Sequence, residues 1–154
     1  MIDLALDVPL DARLARKLRV EVARMVRAAA RCAGRRDYEV ALRIVDDATI
    51  HALNRAYRHK DKPTDVLAFA LREAPGGAAV ALGPDLLGDV VISLDTARRQ
   101  ARRGVYAELL HLASHGLCHL LGYDHRDDAE EHAMNARAKA LRDEAARRGR
   151  IRAA

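Results

Sequence analysis

VYAELLHLASHGLCHLLGYDH, from Val105 to His125, holds four of the chain's seven histidines and sets the reading of everything around it. The stretch reads as one long helix that ends where Gly122 takes the C′ position. Glycine enters the left-handed conformation there without a Cβ penalty. His111, His115 and His119 are four residues apart, so their rings share one helix face. The glycine turns the chain sharply, which lets "YDH" fold back and brings His125 beside the preceding rings.

"LLGDVVISL" just upstream reads as a strand, and "DTARRQARRG" as a helix ending near Gly104. Near the start, "IDLALDV" alternates as a strand does. From about Pro9 to Ala33, Leu14, Leu18, Val22, Met25, Val26 and Ala29 recur at helical spacing, with Gly34 as the C-cap. "YEVALRIV" is a strand with Val40, Leu42 and Ile44 on one face. Asp46 or Asp47 caps a short helix, "ATIHALNRAYR". Pro63 keeps "HKDKPTD" out of a helix. "DVLAFAL" is a strand, and "EAPGGAAVALGPD" a flexible connection. A last helix runs from about Asp127 to Arg148. The expected fold is α/β (α+β): one mixed sheet of about four strands covered by about five helices, with a zinc site at the end of a long helix.

A chain of 154 residues suits one domain spanning residues 1–154. Aromatics make up only 3%, so Leu, Val, Ile and Ala must fill the core. No apolar run approaches the roughly 20 residues of a membrane span. The opening "MIDLALDVPLDARLARK" lacks the basic and apolar regions of a signal peptide. Cys32 and Cys118 make no disulfide framework. These features point to a reducing cytoplasm and no membrane partner.

The net charge is +5 and unevenly placed: nine Arg or Lys stand between Asp11 and Arg36 against two acids. Arg55, Arg58, Lys60 and Lys62 form a second group, and Arg137 to Arg152 a third. Clustered cations suit a phosphate backbone. An excess of arginine and alanine is equally a mark of genome composition, so charge alone does not decide.

The histidines weigh more. H-x-x-x-H-x-x-G-x-x-H is the spacing with which metzincin proteases place three zinc ligands. Three nitrogens and an open position make the catalytic pattern of zinc. His115, His119 and His125 are the expected ligands. A helix rises about 6 Å per turn, so one ion rarely bridges His111 and His119, and His111 is read as either supporting the ligands or facing the substrate. Cys118 is read as a packing residue. The protease base sits in H-E-x-x-H, where this chain has Gly116, so proteolysis by that route is disfavoured. Three neutral imidazoles leave the ion's charge intact, which favours an anionic substrate such as a phosphodiester.

"HGLCHLLGYDH" resembles the signature H-G-x-L-H-L-x-G-Y-D-H of the YbeY family of bacterial metal-dependent endoribonucleases. "LNRAYRHKDKPTDVLAF", Leu53 to Phe69, is similar to that family's second signature, and "LGDVVIS", Leu87 to Ser93, to its L-G-D-I-x-I-S segment. Order and spacing match over essentially the whole chain. Cys118 stands where leucine is usual, Ala68 for serine and Ala70 for proline; none removes a proposed ligand.

The resemblance implies an α/β fold with one Zn2+ on His115, His119 and His125. It implies single-strand-specific RNA cleavage, maturation of ribosomal RNA (notably the small-subunit 3′ end) and ribosome quality control. Single-stranded ribosomal RNA, the small ribosomal subunit and its assembly factors are then the partners, and DNA is not. It also implies that Arg58 matters for activity. An arginine beside a metal can grip a phosphate oxygen and stabilise charge in the transition state. His115 and Asp124 are the other catalytic candidates. The base is either the metal's own water or Asp124, and the attacking oxygen belongs to water or to the RNA 2′-hydroxyl. Nickel or another borderline metal could replace zinc. Thr64 and Asp65 are read as fixing the loop. Two alternatives stand beside this reading: another metal-dependent hydrolase, of peptides or small molecules, and a non-catalytic ribosome-assembly factor with a structural metal. Gly116 argues against the peptidase, and the open coordination position against the structural metal.

Overall fold

The computed structural model describes residues 1–71 and 85–153. Four strands, β1 (Ile2–Leu6), β2 (Glu39–Val45), β3 (Val66–Ala70) and β4 (Leu86–Ser93), form one sheet in the order β1-β2-β4-β3. β1 and β4 both run parallel to β2, and β3 closes the far edge antiparallel to β4. The sheet is therefore mixed, as expected. The helices are α1 (Ala12–Cys32), α2 (Asp47–Arg58), α3 (Leu94–Gln100), α4 (Val105–Leu120) and α5 (Asp128–Ala153). None is long and apolar enough to cross a membrane. The connection expected over "EAPGGAAVALGPD" lies almost wholly outside the described residues.

Strand alternation assigns the sheet's two faces. Val40, Leu42 and Ile44 share one face with Val90 and Ile92; α1 and α4 cover it, and α5 packs against both helices. Val45, Leu67 and Val91 point the other way, where Ile50 and Leu53 of α2 pack with Phe69. Met134, Ala138, Leu141 and Ala145 make the buried stripe of α5, at spacings of four, three and four. Small residues there let α5 lie close to α1 and α4.

Local chemistry accounts for the helix ends. α1 begins at Ala12, after Pro9, because the Asp11 carboxylate accepts from Leu14 N–H at 3.0 Å. It ends in a Schellman turn: Arg35 N–H reaches the Ala30 carbonyl and Gly34 N–H that of Arg31. Asp46 caps α2 through Thr49 N–H at 2.8 Å. Asp127 caps α5 through Glu130 N–H, also at 2.8 Å. One boundary is corrected. α3 stops at Gln100, four residues before Gly104, and Ala101 is extended. Gly104, at φ +95°, opens α4 instead, its carbonyl accepting from Glu108 N–H.

α2 and α3 are tied at their starts. Asp47 Oδ1 accepts from Ser93 Oγ at 2.6 Å and from Thr96 Oγ1 at 2.7 Å. Its Oδ2 pairs with Arg99 at 2.8 Å. Burial alone would raise the Asp47 carboxyl, but these donors outweigh it and hold it below the usual range. Ser93 is fully buried, so Asp47 is the partner that makes its burial tolerable.

Candidate metal centre

α4 carries the histidine face and ends as its sequence anticipates. Gly122 has φ +108°; its N–H bonds the His119 carbonyl at 3.1 Å, and Tyr123 N–H bonds that of Cys118 at 3.0 Å. This is again the Schellman pattern. The turn delivers the Tyr123 carbonyl to within 3.1 Å of His119 Nδ1. A carbonyl only accepts, so Nδ1 carries the proton and Nε2 is the nitrogen that could hold a metal in that tautomer. Burial, and then neighbouring His125, push His119 below the usual imidazole value. It is thus neutral near pH 7, the form a metal requires.

The returning chain brings His125 back beside it, with ring centroids 5.2 Å apart and planes at 73°. Asp124 completes the group: one donor atom each from His119, Asp124 and His125 lie within 4.8 Å of one another. Asp124 is held ionised, first by the His125 N–H that its Oδ1 accepts at 2.8 Å, and also by Arg126. Two imidazoles and a carboxylate form a donor set that suits zinc and other borderline divalent ions.

His115 sits one turn earlier, outside that group. Its Nδ1 lies 2.9 Å from the His111 carbonyl and its Nε2 2.8 Å from Asn135 Oδ1 on α5. A neutral His115 accepts at Nε2, so it pairs with Asn135 when the amide presents its nitrogen. The His111 ring stands 4.3 Å from that of His115. Asn135 carries no local sequence signal: it reaches His115 from another helix, twenty residues on.

A cleft of about 760 Å³ joins these residues to the second signature block. His119, Asp124 and His125 line it, as do Arg58, Lys60, Lys62 and Asp65. Arg58 emerges at the end of α2 and donates to the Ala68 carbonyl on edge strand β3 at 2.5 Å. Its guanidinium lies over the Phe69 ring, 5.2 Å from the centroid. Asn54, buried, fixes the loop after α2 by donating to the Lys62 carbonyl at 2.9 Å. Its own carbonyl accepts from His59 and Lys60 N–H, holding His59 at φ +59°. Asp65 accepts from Val66 N–H and organises the entry to β3.

Gly116 has a packing reason. A Cβ there would fall 2.5 Å from Val90 Cγ1 on β4, so α4 seats directly on the sheet at this point. The position faces β4, and a glutamate would have no room. Cys118 is fully buried, as its reading as a packing residue requires, and burial pushes its thiol up to about 11.

The family model described as "Endoribonuclease YbeY" matches residues 8–146. A protein of that name from Anaeromyxobacter dehalogenans is 45% identical over 159 residues, covering 97% of this chain and 77% of its own. Another, from Anaeromyxobacter sp. (strain Fw109-5), is 48% identical over 134 residues, covering 85% of this chain and 65% of its own. The solution structure of TM1509 from Thermotoga maritima shares the fold with a TM-score of 0.63 at 26% identity, over 99% of this chain and 93% of that one. Cleft, histidine turn and family match coincide on the same residues, and the chain belongs to the YbeY endoribonuclease family.

Proposed function

We propose that this chain is a zinc-dependent, single-strand-specific endoribonuclease of ribosomal RNA maturation, including the small-subunit 3′ end, and of ribosome quality control. It works in the cytoplasm, with the small ribosomal subunit and its assembly factors as partners. One observation carries the reading: a His–Asp–His donor group and a cationic arginine line the same open cleft.

In this proposal His115, His119 and His125 hold the ion, His115 exchanging Asn135 for it. When bound, zinc supplies a Lewis acid for a phosphoryl oxygen and lowers the pKa of water. The protein's own groups do the rest. Arg58 uses one N–H on Ala68 and directs the remaining donors of its fork at a phosphate oxygen. Lys60 and Lys62 offset the charge of flanking phosphates. Asp124, ionised, accepts the proton of the attacking hydroxyl at a carboxylate oxygen. An open cleft walled by an edge strand fits a single strand better than a duplex.

The test incubates purified protein with labelled single-stranded RNA, duplex RNA and casein, each with and without chelator. Chelator-sensitive cleavage of the single strand alone is expected; cleavage of casein, or RNA cleavage indifferent to chelator, would overturn the reading. Metal analysis tests the ligands. His115→Ala, His119→Ala and His125→Ala should each lower bound zinc, and His111→Ala should not. Full zinc in His115→Ala with loss in Asp124→Asn would assign the third donor to Asp124 instead.

A further inference from the structure

A second cleft, of about 560 Å³, opens farther along the histidine face of α4. Arg102 and Arg103 reach it from the loop between α3 and α4, Arg142 from α5, and Gln100, Glu108 and His111 complete its lining. The two clefts are neighbours. Asp65 lines the first, and its Oδ2 accepts from Gln100 Nε2 at 3.0 Å. The His111 ring of the second lies 4.3 Å from that of His115, tilted at 52°, and His115 stands one turn before His119 of the first. From His111 to His119 is about 12 Å at the helical rise, a span of a few nucleotides.

The charges in this second cleft are unbalanced. Glu108 is its one carboxylate, and its Oε2 already accepts from Gln100 at 2.8 Å. Among the described residues, no carboxylate lies within 4.0 Å of the guanidiniums of Arg102, Arg103 or Arg142. Arg142 is half-buried and donates to the buried Ser114 hydroxyl at 2.7 Å, which holds its head group at the cleft. A partly desolvated guanidinium without a counter-ion is unfavourable, and an anion completes it. Three cations at one end of a few-nucleotide path match the repeating charge of a nucleic-acid backbone.

We infer that the second cleft is a phosphate-binding subsite for the single strand as it leaves the catalytic cleft, held by Arg102, Arg103 and Arg142. This rests on the RNA-cleaving reading above. It adds a site outside both signature blocks, and makes affinity depend on substrate length.

Fluorescence anisotropy with 2′-O-methyl RNA of graded length, from about four to about twelve nucleotides, tests it. The parent should bind the twelve-mer at least tenfold more tightly than the four-mer. Arg102→Ala with Arg103→Ala, both in an exposed loop, should abolish most of that gain and leave four-mer binding unchanged. Its salt slope on the twelve-mer should fall by about 1.4, or about 0.7 for each phosphate no longer neutralised. Arg142→Gln, assayed separately because Arg142 is half-buried, should act in the same direction. If the double variant keeps the parent's affinity and slope on the twelve-mer, the subsite is overturned while the nuclease reading stands. If the parent binds neither oligonucleotide, both fall.

Discussion

Gly116→Ala tests whether α4 is seated on the sheet by the absence of a side chain. The new Cβ would meet Val90 Cγ1 at 2.5 Å, Val90 Cγ2 at 3.1 Å and Val66 Cγ2 at 3.4 Å. Valine has one stiff torsion and is 2% exposed here, so it cannot swing away. Overpacking of this kind costs about 1–3 kcal/mol. Alanine also gains about 1 kcal/mol of helix propensity over glycine, which masks part of the cost in the single variant. A cycle with Val90→Ala removes that masking, because the propensity gain is common to both arms. In the Val90→Ala background the clashing methyls are gone, and Gly116→Ala should stabilise by about 1 kcal/mol. The coupling between the two sites should therefore be about 1–3 kcal/mol. Urea unfolding of the four proteins, followed by circular dichroism, reads it directly. If the effects add to within about 0.5 kcal/mol, Gly116 and Val90 do not oppose one another and the packing account is wrong.

Arg58→Ala should keep its zinc and lose no more than about 2 kcal/mol of stability, the sum of one hydrogen bond and an exposed cation–π contact. Its single-turnover RNA cleavage should nevertheless fall roughly a hundredfold, with Arg58→Lys recovering only part; cleavage at the parent rate would demote Arg58 to a structural clasp on β3. Asp47→Ala strips the acceptor from buried Ser93 and should cost about 1–3 kcal/mol in denaturant unfolding without changing zinc content. Asp47→Asn, which keeps Oδ1 as an acceptor, should restore most of it. The Cys118 thiol is pushed up to about 11 in the fold, so the unfolded chain surrenders that proton first. Its contribution is complete below about pH 9 and is lost as pH rises through 11, at most about 3 kcal/mol. Urea unfolding at pH 8 and pH 11 should show a smaller drop in Cys118→Ala than in the parent, and equal drops would contradict this.

Features written in short-range chemistry are legible from the residues alone. Asp46 caps α2 because a short carboxylate reaches an N–H three residues on, and Gly34 and Gly122 end helices because they tolerate positive φ. Gly104 is ambiguous for the same reason: a glycine between two helical patterns can close one or open the next, and here it opens α4. The position of β3 at the sheet edge is not legible, since strand order depends on pairing between distant segments. The centre divides likewise. His119 and His125 are joined by a local turn that the spacing announces. The contacts of His115 with Asn135 and of Ser114 with Arg142 cross between α4 and α5, and nothing within either helix signals them.

The carbonyl that orients His119 belongs to the main chain at Tyr123. Replacing the side chain at position 123 cannot delete it, and the donor that aims the ring is carried by the ring itself. Ring orientation is therefore sheltered from genetic drift at position 123 and concentrated in one vulnerable place. At Gly122, with φ +108°, any Cβ strains the turn that presents the carbonyl. The tolerance of this loop to substitution is steeply uneven, and its weak point is the residue that offers no functional group at all.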